Sequence, residues 1–398
     1  MPRQVRFVVV GCGGIGSAAA YWLARGGGGD VLALERFRLG HDRGASEDHS
    51  RIIRHAYHSR VYTALTQAAY DAFAVAEDAA GVRLVHRTGG LDLAERGSPG
   101  EADLRASAES MDGPGIDYEL LDADEVRRRF PPFRVDDGVV GLYQADAGIL
   151  DIRKSVAVHV ALARAAGAEV RGEAPVRDIE LRPGGVEVVT DEETVIAERV
   201  IVCAGAWTRR LLRGSLGVDL PITLSHEQVT YFATPNLREL APDRFPIWIW
   251  HADPVLYGFP VYGEVASKAA IDLADRFVEL EAREWPPDEA RIELVDAFLA
   301  ERLPAALGPR LYSRTCLYDM PPDRDFVVDR LPGEDRILVC VGAGHGAKFA
   351  GLLGRILADL ALRGETPHPI HPFRADRPAM TDPSFPRRFR LSTPSATA

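Results

Sequence analysis

Three lysines, Lys154, Lys268 and Lys348, stand among the 47 basic residues of this 398-residue chain. Where arginine is written almost everywhere, a retained lysine offers what a guanidinium cannot, a compact charge with a tunable pKa. Lys268 and Lys348 fall in segments that read as a site rather than a solvated face; compositional drift is the plain alternative for either one alone. A second constellation is GCGGIG, in which Gly11, Gly13 and Gly16 spell GxGxxG between the strand-like VRFVVV and the helix-like SAAAYWLA. In this pattern the first glycine allows a tight turn, the second admits a pyrophosphate close to the backbone, and the third lets the helix pack closely. The phosphates would sit at the positive helix end. Glu35, closing the next strand, VLALE, stands where an acid accepts hydrogen bonds from a ribose, and Arg36 is placed to line the adenine side. The histidines show no metal-ligand spacing, so no metal site is expected.

These residues need elements to position them. The opening reads strand, glycine turn, helix, strand, with a glycine run from Gly26 to Gly29 before the second strand. Two further strand-turn-helix units lie far downstream, AERVIVCAGAW ending at Trp207 and the stretch from Arg336 to Leu362. Between them, segments such as WIWHADPVLYGFPVYG alternate as antiparallel strands do. The expected architecture is α/β plus α+β: a discontinuous Rossmann-like domain (residues 1–88, 146–220 and 320–385) interrupted by an antiparallel-sheet domain (89–145 and 221–319). A Pro-, Ser- and Thr-rich tail, 386–398, is expected to be loosely held.

Composition limits the function classes. A formal charge of −11 with scattered arginines argues against nucleic acid and against anionic membranes. No apolar run of about 18 residues could span a bilayer, and the first strand begins too early for a signal peptide. Cys12, Cys203, Cys316 and Cys340 form no CxxC and no disulfide framework, which points to a reducing cytoplasm.

With the nucleotide motif, GASEDHSRIIRHAY, TCLYDMPPDRDFVVD and GAGHGAKF together, the chain resembles the monomeric sarcosine oxidase and N-methyltryptophan oxidase family of FAD-dependent amine oxidases, relatives of D-amino-acid oxidase. The likeness runs from residue 5 to about 380. It implies FAD held covalently by a thioether from Cys316, with Gly11, Gly13, Gly14, Ile15, Gly16, Glu35, Arg36, Val176, Gly344, His345 and Gly346 around the cofactor. It places Ser50 and Arg51 on one face of the flavin ring and Lys268 beside its reactive nitrogen, where a fixed cation favours electron transfer to oxygen. Arg54 and Lys348 match the clamp for the substrate carboxylate, a task suited to fork-like and point-charge donors. Tyr257 and Tyr318 match pocket-shaping residues. Glu47 departs from a position that often carries histidine in relatives.

The family's pocket histidine is replaced by Asp272, and Trp248 and Trp250 precede Tyr257. An acid there would select a substrate with a second amine, and an aromatic wall would suit a larger side chain, unless both merely pack or pair elsewhere. The expected activity is oxidation of the secondary amine of an N-methyl or N-alkyl amino acid, with O2 as acceptor and hydrogen peroxide as product, by a monomer. Three alternatives stay open: a flavin dehydrogenase or an oxidase of glycated, cyclic or primary amino acids; an NAD-linked dehydrogenase; and a non-catalytic flavin-binding protein.

Overall fold

The computed structural model describes residues 2–27, 30–273, 276–280, 286–389 and 391. Gly28 and Gly29 of the glycine run, and residues 390 and 392–398 of the tail, lie outside the described residues. The opening strand Arg3–Val10 is central to an eight-stranded sheet and pairs in parallel with Val31–Leu34 on one side and Thr194–Val202 on the other. Outside these lie Glu169–Arg171, parallel to Val31–Leu34, and Glu334–Val341, parallel to Thr194–Val202 and antiparallel to Val327–Leu331. Its near-continuous apolar run follows from burial on both faces. Phe7 and Val9 enter one core with the helices Gly14–Arg25 and Ala350–Arg363, whereas Val8 and Val10 enter another beneath Val186, Val188 and Leu212.

The two helices cross closely because Gly354 leaves no side chain where it meets the backbone of Ala18 and Ala19; a Cβ there would lie 2.5 Å from the Ala19 nitrogen. A three-stranded sheet of Arg51–Ile53, Val85–Arg87 and Gly148–Leu150 flanks this layer.

A nine-stranded sheet forms the second layer. Its spine is Thr223–Phe232, paired antiparallel with Arg310–Met320 along its length and with Ser267–Asp272 on the other edge. Val255–Phe259, Ile247–His251 and Gly90–Glu95 follow in order. Its one parallel pair, Ile247–His251 on Gly90–Glu95, joins two chain segments that are remote in sequence, which no hairpin could connect.

The Phe389 carbonyl accepts from Arg324 at 2.8 Å, its ring lies 5.2 Å from that of Phe277, and Leu391 reaches the wall of the main cavity. Among the described residues, no helix is long and apolar enough to cross a membrane.

Candidate active site

A cavity of about 1110 Å³ runs between the two large sheets. At one end is the turn after the opening strand. Gly11 has φ +95°, and a Cβ there would stand 2.5 Å from the Cys203 carbonyl oxygen. Gly11, Gly13, Gly14 and Ile15 line the cavity. Gly16 is not part of the wall; its Cβ would fall 1.9 Å from the Gly11 oxygen, so its role is to let the helix rise directly beneath the turn.

The helix Gly14–Arg25 has Gly13 as its N-cap, which offers no side chain; the Gly14 amide donates to Ser46 Oγ at 2.8 Å, and the positive end of the helix faces the cavity. Glu35 accepts from the Cys12 amide at 2.8 Å and the Phe37 amide at 3.0 Å, and pairs with His41 at 3.2 Å. Burial pushes its pKa up, but the His41, Cys12 and Phe37 hydrogen bonds outweigh this and hold it below the usual value. Arg36 and Val176 line the same end. A ligand with a pyrophosphate and a ribose fits this donor and acceptor set: a helix N-terminus, a backbone without side chains and an ionised acid.

At the other end, Lys268, Asp272, Tyr257 and Tyr318 project from three strands of the second sheet, opposite Ser50, Arg51 and Arg54. Gly344 (φ +76°) lets the Tyr318 ring lie against the turn, since a Cβ would come within 2.5 Å of the ring. Lys348 sits in the 3-10 turn Gly346–Phe349 that leads into the helix Ala350–Arg363.

The Lys348 ammonium donates to the Tyr57 hydroxyl at 3.1 Å, and the Arg54 guanidinium lies 5.7 Å from the centroid of the same tyrosine ring. Burial first, then Arg54, lower the Lys348 pKa to about 7. Among the described residues no carboxylate lies within ion-pair distance of Lys348. Arg54, by contrast, is already ion-paired with Asp92, which also accepts from His251 at 2.7 Å.

The other expected residues divide in their placement. Asp272 receives both oxygens' worth of donation from Arg324, at 2.9 and 3.2 Å; burial raises its pKa, Arg324 lowers it, and the net shift is downward. Its charge is therefore matched within the protein. Trp248 and Trp250 pack in the second-sheet core against Phe298, with Trp248 also against Phe133; Trp250 also borders the cavity, whereas Trp248 does not. Glu47 pairs with Arg314 at 2.8 Å.

Both His345 ring nitrogens are engaged, with Tyr57 at 3.3 Å and the Arg324 carbonyl at 3.1 Å, while the residue also lines the cavity. Cys316 lies on Arg310–Met320 opposite Glu227, just behind the wall formed by Leu317 and Tyr318. Burial pushes its thiol up to about 11, against the pull of Arg51.

Sequence reasoning missed Asp48, Tyr57, Asp92, His251 and Arg324. Asp48, Tyr57 and Arg324 lie inside motifs that were recognised, but nothing local reveals their partners. His251 and Asp92 carry no sequence signal.

The description FAD dependent oxidoreductase matches residues 6–360. The chain belongs to that family. It is 35% identical to monomeric sarcosine oxidase of Streptomyces avermitilis over 372 residues, covering 91% of this chain and 95% of the relative. It is 30% identical to N-methyl-L-tryptophan oxidase of Salmonella newport over 380 residues, with 93% and 98% coverage. Among solved structures it superposes with a TM-score of 0.82 on the open form of NikD, an unusual amino acid oxidase essential for nikkomycin biosynthesis, at 27% identity and with 94% and 97% of the two chains covered. The expected fold, an FAD-binding α/β layer with a second sheet domain, is the fold observed. FAD is the cofactor of this family, and the glycine turn with Glu35 fits it.

Proposed function

We propose that the protein oxidises the secondary amine of an N-methyl or N-alkyl amino acid, with oxygen as acceptor. The observation that carries this reading is Lys348, in the cavity wall with, among the described residues, no carboxylate within ion-pair distance, converging with Arg54 on Tyr57. Asp272 acts on Lys348 only at longer range, and a buried lysine without a hydrogen-bonded counter-ion is a site for an anion. A substrate carboxylate between Lys348 and Arg54 fixes the rest of an amino acid in the cavity.

FAD, when bound, supplies a two-electron acceptor for the amine and a donor to molecular oxygen. The protein supplies position and charge. Arg54 and Lys348 hold the carboxylate, so that the carbon next to nitrogen is presented in one orientation. Burial holds the Tyr257 and Tyr318 hydroxyls well above the usual phenol range, so both stay neutral and shape the pocket without charge. Asp272, kept ionised by Arg324, accepts a hydrogen bond from a substrate N–H rather than serving as an unpaired anion for a second amine. The imine product leaves and hydrolyses in water.

Cys316 is the point of covalent attachment in this reading, supported by its place behind Tyr318 and by the charge of Arg51 nearby. Lys268 and Arg51 supply positive charge at the flavin, and the protein works as a cytoplasmic monomer. Oxygen uptake with peroxide formation should appear with N-methyl amino acids and be much weaker with the parent primary amino acids. Activity confined to the primary amines would refute the secondary-amine reading.

A further inference from the structure

We propose that Asp48 is the counter-ion that keeps Lys268 charged inside a desolvated site, and so is a positioning residue for the reaction with oxygen. The inference rests on the reading of Lys268 as the cation beside the flavin. Lys268 is 3% exposed, and the three donors of its ammonium go to Asp48 Oδ2 at 2.7 Å, the Ser50 carbonyl at 2.9 Å and Ser50 Oγ at 2.9 Å. None is left for a mobile partner, so what Lys268 can offer is its field.

Asp48 is held from all sides. Oδ2 also receives Arg51 Nη1 at 3.3 Å, and Oδ1 receives the His49 amide at 2.8 Å and the Tyr231 hydroxyl. Its backbone stands at φ +100°, a region that L residues enter only when their surroundings over-determine them. The strain is spent on one result, a carboxylate under the lysine.

The groups facing Lys268 come from four elements besides its own strand. Asp48 and Arg51 come from the segment before and within Arg51–Ile53, Tyr231 from Thr223–Phe232, Phe259 from Val255–Phe259, and Cys316 from Arg310–Met320. Of these, Arg51 opposes the ammonium and Asp48 is the fixed anion. Burial lowers the Lys268 pKa most, Asp48 raises it, and the balance is about 8. An opposite charge at this range is worth about 1–3 pKa units, so without Asp48 the lysine's midpoint falls to about 7 or below and at least half of it is neutral at pH 7.

The test uses the holoenzyme labelled with 13C at the lysine ε carbon. Three lysines give three resonances, assignable with Lys154→Arg and Lys268→Met. Lys268 should titrate near 8 in the native protein. In Asp48→Asn, isosteric, and in Asp48→Gly, suited to the positive φ, the midpoint should fall by about 1–3 units; Asp48→Glu should restore part of the shift. Rapid mixing of reduced enzyme with oxygen across pH gives the second readout. The native rate should decline above about pH 8, and the variants' decline should move to lower pH by the same amount as their lysine midpoints. An unmoved lysine titration in both neutral variants overturns the counter-ion role. A displaced titration with an unmoved reoxidation profile overturns the oxygen-facing role of Lys268, and with it the function assigned to Asp48. Faster reoxidation at every pH would mean that Asp48 quenches the cation, which also overturns the proposal.

Discussion

Lys348→Met removes one cation from the proposed carboxylate site and tests it directly. In the native structure the ammonium uses one donor on Tyr57 at 3.1 Å, leaving two for a ligand. A charge-assisted hydrogen bond contributes about 1.5–3 kcal/mol, which at 1.4 kcal/mol per decade is about 10- to 150-fold in affinity. The sign of the pH effect follows from the lysine's depressed pKa of about 7, set by burial and then by Arg54, with Asp272 opposing and Arg324 and Arg51 adding to the depression. The free protein carries a charged Lys348 below that pH and a neutral one above it. A carboxylate binds the charged form, so affinity should be level at low pH and fall about tenfold per unit above about 7, until the raised pKa of the complex is passed. The assay is titration of a simple carboxylate lacking the amine nitrogen into oxidised holoenzyme, followed by the visible spectrum at several pH values. Lys348→Met should bind weakly with no break in this range, and Lys348→Arg should keep tight binding to higher pH. Binding by Lys348→Met within about threefold of native, less than 1 kcal/mol, would refute the anion site.

Other variants probe the remaining parts. Cys316→Ser should release its yellow colour to the supernatant on acid precipitation, whereas the native protein should keep it in the pellet. Arg324→Met strands Asp272 in a buried site and should cost about 3–5 kcal/mol in urea unfolding, with much of the loss recovered in Arg324→Met/Asp272→Asn; equal losses in the single and double variants would contradict the pairing. Gly16→Ala forces the Gly11 carbonyl to move, an overpacking worth about 1–3 kcal/mol, and should weaken FAD binding measured by flavin fluorescence.

The nucleotide end was legible because its logic is local. A strand, three glycines, a helix and an acid occur within 35 residues, and each has one physical reason to be there. The substrate end was legible only in part. Asp272 was visible as a departure, but its meaning depends on Arg324, 52 residues away, and that pairing is made by tertiary structure alone. The same holds for Arg54, whose partner Asp92 comes from a strand contributed by the other domain segment.

Strand geometry explains where the two tryptophans go. Trp248 and Trp250 share a face by period 2 and both pack into the core, although Trp250 also borders the cavity beside Ile249 and His251. In the described part of the tail, Phe389 finds both an aromatic neighbour and the Arg324 guanidinium, contacts made by tertiary structure alone.

The most direct measurement is anaerobic mixing of the yellow protein with N-methyl amino acids, followed by admission of air. The account predicts that the visible flavin band bleaches with a secondary amine that carries a carboxylate, and returns on oxygenation with one peroxide per bleached flavin. A band that no such amine bleaches, or one that bleaches and does not return in air, would contradict it.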